Sequence, residues 1–146
     1  MSTRVITQKE DLFKQVLIDP GSVTSTTTAY LDMADVHTAE FFLAVGATDQ
    51  AIAMKLVQAT SAAGAGKKDI PGAAIVALAG TDDNKQVSIE IDPYQLDFNN
   101  GFRFVAAEPA VSGGSATTGC LLVQAVMKKK PVTKHADVVQ QILVVG

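Results

Sequence analysis

The chain of 146 residues has no tryptophan, two tyrosines, two histidines and a single cysteine, and each shortage removes a class of function. One cysteine, Cys120, leaves no intrachain disulfide to staple the fold. It opens an apolar stretch and reads as a small buried hydrophobe in place of a reactive thiol. His37 and His135 come with neither a His-Glu-x-x-His pattern nor paired cysteines, so no dedicated zinc site is expected. Aromatic residues make up 5% of the chain, too few for the stacked platforms of single-strand nucleic-acid binders or sugar-binding clefts. No apolar run approaches the roughly 18 residues needed to span a bilayer, and Met1 to Glu10 has no secretory apolar region. The expectation is synthesis in a reducing cytosol, with no membrane partner and no cofactor.

What is present is small, apolar and unevenly charged. The length suits one domain able to bury a core without staples. Net charge is −3, but residues 19–127 hold five Lys/Arg against twelve Asp/Glu, while residues 128–146 hold four Lys against one Asp. An acidic body repels nucleic acid, and a basic tail suits an acidic protein surface. Much of the apolar content is Ala and Val, residues that serve flat contacts as well as cores.

From residue 29 the hydrophobic period is close to two. Val87, Ile89 and Ile91 alternate with Ser88, Glu90 and Asp92, a strand with one wet face. In 120–127 the alternate set Leu121, Val123, Ala125 and Met127 is wholly apolar. Strands are expected over 28–33, 40–45, 51–58, 73–79, 86–92, 95–98, 102–108 and 119–127, with Gly, Asp, Asn and Pro clusters between them. Asn100-Gly101 between apolar runs predicts a hairpin with a type I′ turn. About eight short strands without crossover helices indicate an all-β antiparallel β-sandwich, jelly-roll-like. The expected organisation is an amino-terminal arm over 1–28, a sandwich body over 29–130 and a carboxy-terminal arm over 131–146. In the first arm, Thr7 and Glu10 fit a capping box, and Leu12, Phe13, Val16 and Leu17 recur at helical spacing, which predicts a short helix over 8–17. In the last, Val138, Val139, Ile142 and Leu143 suit a helix or a strand, and an apolar terminus needs a partner surface.

No catalytic pattern interrupts this grammar. Gly64-Ala-Gly-Lys-Lys68 resembles a phosphate loop, but Ser61 stands at the leading Gly and Lys68 where Ser or Thr would bind magnesium. Asp82-Asp83-Asn84 lacks the spaced ligands of a calcium loop. His37 and Glu40 read as surface or capping residues. Ala110-Val-Ser-Gly-Gly114 lacks the first Gly of a nucleophile elbow. Glu90 and Asp92 stand about 7 Å apart on one strand, a spacing that alternation produces on any wet face. The chain is not expected to be an enzyme. Lys128-Lys129-Lys130 has no aromatic neighbours and reads as a solvated strand end or an electrostatic dock.

The order of elements resembles that of the small capsid decoration, or cement, proteins of tailed bacteriophages. The likeness lies in Ser22-Val-Thr-Ser-Thr-Thr-Thr-Ala-Tyr-Leu-Asp32, Phe41-Phe-Leu-Ala-Val-Gly46, Ala53-Met-Lys-Leu-Val-Gln-Ala59, an Asp/Asn turn, the Gly-Phe-Arg-Phe run at 101–104 and Lys-Lys-Pro-Val at 129–132. It covers residues 20–132. The resemblance implies a jelly-roll virion protein, made in the bacterial host cytoplasm, that sits on the outer capsid as a homo-oligomer and clamps neighbouring major capsid protein subunits. The candidate capsid or subunit contacts are Leu12, Phe13, Val16, Leu17, Lys128, Lys129, Lys130, Val138, Val139, Ile142 and Leu143. Two other classes compete: a receptor- or glycan-binding β-sandwich using the loops 59–71 or 109–119, and a tail-tube or connector subunit closing into a ring.

Removal of residues 133–146 is expected to leave circular dichroism and the melting temperature unchanged while weakening binding to capsids. A truncated chain that fails to fold would refute a docking role for that segment.

Overall fold

A computed structural model describes residues 13–19, 27–47, 51–75, 79–81, 83–112 and 119–127; for 13–19, 119–122, 124, 126 and 127 the description is of the backbone alone. The expected alternation decides the layers. In β3 (Val36–Val45), Val36, Ala39, Phe41, Leu43 and Val45 are buried, while Thr38, Glu40, Phe42 and Ala44 between them are half exposed. In β4 (Ile52–Ala59), Ile52, Met54 and Leu56 carry the same pattern. The two apolar rows belong to one core, joined by Ile91, Val105, Ala107, Val123 and Ala125. Two sheets packed face to face bury this set because each strand offers it one side only.

The remaining strands are β1 (Phe13–Asp19), β2 (Leu31–Asp32), β5 (Lys68–Ala74), β6 (Gln86–Ile91), β7 (Phe104–Val111) and β8 (Gly119–Met127). One sheet has the order β1-β8-β3-β6, the other β2-β7-β4-β5, and every described pairing is antiparallel. The pairs 4·5, 3·6, 2·7 and 1·8 are nested, as if one long hairpin had been rolled into two layers. That order is a jelly roll, an all-β antiparallel sandwich of eight strands among the described residues. Only β4 and β5 are sheet neighbours in direct succession, so the loop 60–67 is the turn of the rolled hairpin.

The structure corrects three expectations. No helix covers 13–17: Phe13–Asp19 pairs along β8, with Val16 opposite Val123 and Leu17 opposite Leu122. Seven residues are too few to nucleate a stable helix, whereas a ready-made neighbouring strand pairs with alternate backbone groups along the whole segment. Residues 8–12 lie outside the described residues. Second, Asn100-Gly101 is not a type I′ hairpin. Phe98–Asn100 forms a 3-10 turn closed by Gly101 at φ +82°, and Asn100 keeps negative φ. The expected strand over 95–98 is displaced by a preceding 3-10 turn, Pro93–Gln95, because Pro93 cannot donate to a ladder. Third, β5 runs from Lys68, five residues earlier than the strand expected from 73. The strands anticipated over 40–45, 51–58, 86–92, 102–108 and 119–127 are present with shifted ends.

Phe41 and Phe42 test the facing of β3, since the first is fully buried and the second lies on the outer side. Phe41→Ala is expected to lower the unfolding free energy by about 3–5 kcal/mol, and Phe42→Ala by well under half as much, in urea titrations. Equal losses would overturn the assignment of faces.

Candidate functional site

Three connections meet at one end of the sandwich: the turn between β2 and β3, the loop 60–67 and the segment 92–103. The loop is built on its glycines. Gly64 has φ +81°, and a Cβ there would stand 2.9 Å from the Tyr30 ring, so the position excludes any other residue twice over. Ser61 Oγ accepts the N–H groups of Ala63 and Ala65 at 3.3 and 3.2 Å, Gly64 N–H donates to the Ser61 carbonyl, and Lys67 N–H to that of Gly64. These donors are spent inside the loop, whereas a phosphate cradle would turn them outward. The run that resembles a phosphate loop in sequence is therefore an ordered flap.

Its far end is held by charge. Lys67 Nζ donates to Glu108 Oε1, the Thr27 hydroxyl donates to the same oxygen at 2.9 Å, and Lys55 lies 3.7 Å from Oε2 while donating to Asp69 at 2.7 Å. Glu108 is only 17% exposed, and it ties the segment before β2, the flap and β4 to β7. Lys67 draws the Glu108 carboxyl below its ordinary value against the opposing effect of burial. Asp69 holds the Lys55 ammonium up, and Glu108 does the same for Lys67. Burial raises the Tyr30 phenol. Lysines kept protonated in this way act as cations and not as nucleophiles.

A second tie fixes the segment 92–103. Lys68 donates to Asp97 at 2.6 Å and lies 3.9 Å above the Phe102 ring. Lys68, helped by Asn100, lowers the Asp97 carboxyl. Asp97 N–H donates to Oε1 of Gln58, a residue only 3% exposed, and Leu96 enters the core. Gln95 Oε1 accepts the Asp92 N–H at 2.9 Å, which braces the first 3-10 turn. Tyr94 on this braced turn is 96% exposed and Phe98 on the following one 39%, the two large apolar side chains most open to solvent among the described residues. Beside Phe98 is a shallow depression of about 580 Å³ with Thr60, Arg103 and Phe104 on its walls. Arg103 pairs with Asp32 at 2.8 Å and lies 5.0 Å from the Phe104 ring.

The sequence missed Tyr94 and Phe98 as surface residues. The available signal was Asp92-Pro93 with Gln95 three positions after Asp92, the spacing of a capped turn, which makes an exposed tyrosine rigid. Of the anticipated contacts, Phe13, Val16 and Leu17 lie in β1, in register with Val126, Val123 and Leu122. Leu12, Lys128, Lys129, Lys130, Val138, Val139, Ile142 and Leu143 lie outside the described residues. His37 is exposed, next to a register shift, and Glu40 stands opposite Glu90. Among the described residues no three His, Cys, Asp or Glu side chains gather as metal ligands do, and no helix is long and apolar enough to cross a membrane. Neither a protein-family model nor a curated protein matches the chain.

Because folding holds the Glu108 carboxyl below its ordinary value of 4.5, its contribution to stability is complete above that value and is lost as pH falls through the lower, folded one. Glu108→Gln is expected to lower the urea midpoint at neutral pH, and the gap from wild type to close on acidification. A gap that stays constant into acid would refute the charge-based tie.

Proposed function

We propose that the chain is a structural virion protein that binds the outer surface of a tailed-phage capsid and clamps neighbouring major capsid subunits. The resemblance of residues 20–132 to cement proteins supports this reading, and the jelly-roll order of the strands is compatible with it. The observation that carries it furthest is Tyr94, almost fully exposed on a turn braced by Gln95, with Phe98 exposed on the next turn of the chain. Tyrosines held rigid on a surface are the residues that most often anchor protein contacts, because they bury large area at small entropic cost. Many weak copies of such a contact over a lattice give avidity with no strong single site. Localisation at the virion surface, after synthesis in the host cytoplasm, belongs to the same proposal.

The test is co-sedimentation of the purified chain with phage heads that lack their own copy. Saturation at a simple ratio to the major capsid protein is expected. Tyr94→Ala is expected to weaken binding by about tenfold or more while leaving the melting temperature in place. Absence of binding to heads, together with binding to a glycan array, would replace the capsid reading with recognition of a host-cell carbohydrate.

A further inference from the structure

A jelly roll has four strand edges, and three of these are blunted. β2 is two residues long; β5 contains Pro71 and Gly72, the latter at φ +78°, with a register shift against β4; β1 shifts register between Leu17 and Asp19. Short strands, proline and bulges are the devices that stop edges from pairing. β6 has none of them. It pairs with β3 over six consecutive positions without a shift, and no other strand flanks it among the described residues.

The phase of its hydrogen bonds is fixed by Val45 N–H, which donates to the Lys85 carbonyl at 2.8 Å. Alternation along an antiparallel ladder then assigns Val87, Ile89 and Ile91 to β3 and turns the N–H and C=O groups of Gln86, Ser88 and Glu90 outward. Among the described residues nothing pairs with these groups. Val87 and Ile89, on the inner side, are only partly buried against the core, and so is Ile75 at the end of β5.

We propose that β6 is the seam of a homodimer, in which two copies pair antiparallel along this edge about a two-fold axis at Ser88. The register follows from the residues. With Ser88 opposite the partner's Ser88, Gln86 faces the partner's Glu90 and every outward N–H and C=O of the three residues finds a partner. Val87 meets the partner's Ile89, which continues the apolar inner face across the seam. A slide in one direction sets Glu90 against the partner's Glu90, and a slide in the other strands its backbone. Glu90 stands opposite Glu40 within the sheet, a like-charge pair, and already accepts the Thr38 hydroxyl at 3.2 Å; in the dimer the partner's Gln86 amide adds a second donor from the other side. One continuous eight-stranded sheet results, closed by two-fold symmetry. The proposal does not depend on the capsid reading.

Sedimentation of the full chain over a dilution series, with residue-resolved amide exchange, tests it. Twice the monomer mass is expected at high concentration, with the amides of Gln86, Ser88 and Glu90 slowing as dimer accumulates. Ser88→Pro removes one outward N–H and no bond to β3, so a folded monomer is expected. Gln86→Glu, which sets carboxylate against carboxylate, is expected to shift the equilibrium towards monomer. A wild-type chain that stays monomeric, a dimer in which those three amides exchange freely, or a folded Ser88→Pro dimer would each overturn the proposal; if Ser88→Pro does not fold, the wild-type amides decide.

Discussion

The contact of β3 on β4 is the constraint from which the other features follow. Phe41 and Leu43 meet the layer of Met54 and Leu56, and near its end β4 is buried on both sides. Val57 and Ala59 have the outward parity yet no exposure, as does Ala106, the register partner of Val57 on β7. An apolar outer row cannot be left in water at the middle of a sheet, so the chain must turn back over it. The flap follows directly on Ala59, and it seats Gly64 on the ring of Tyr30, one residue before the pairing of Leu31 with Val105. The seating of Gly64 on Tyr30 and the Glu108 tie both attach to the layer formed by β4 and β7.

Magnitudes separate what holds the fold from what positions it. A buried phenylalanine or leucine contributes about 1.5–3 kcal/mol, and the core contains many such groups. The ion pairs are largely solvated: Lys55 and Asp69 are 44% and 68% exposed, Arg103 and Asp32 47% and 40%. Pairs of this kind contribute about 0–1 kcal/mol each. Their role is to select one placement of loops that apolar contacts alone leave underdetermined. Glu108 is the exception in burial, and it ties three other segments together through Lys67, Thr27 and Lys55.

The period-two pattern made most of the sandwich legible because β3, β4, β6 and β8 each expose one face to a single core. The failures share a different cause. Phe13, Val16 and Leu17 fit a helical and an extended spacing alike, and only the pairing with β8, more than 100 residues away, decides between them. Asn100-Gly101 carried a hairpin signal, but Pro93 and the reach of Asp97 to buried Gln58 committed the preceding residues to turns. The site was less legible still. Tyr94, Leu96 and Phe98 alternate with Gln95 and Asp97 as the residues of a half-buried strand would, and the exposure of Tyr94 depends on a brace that forms only when the chain is folded.

Charge also limits what this surface can meet. Of the five cations between residues 19 and 127, four are engaged: Lys55, Lys67, Lys68 and Arg103 each face a carboxylate, and Lys68 and Arg103 also lie over aromatic rings. The twelve acids of the same stretch exceed these cations, so the field around the body is negative at neutral pH. A polyanion approaching it is repelled, and the engaged cations are not available to compensate without breaking the ties that place the flap and the 92–103 segment. A partner of the kind proposed would therefore bring apolar surface or positive charge of its own to Tyr94 and Phe98. That requirement fits a protein surface better than a phosphate backbone, and it arises from the same ion pairs that engage the cations around the segment 92–103.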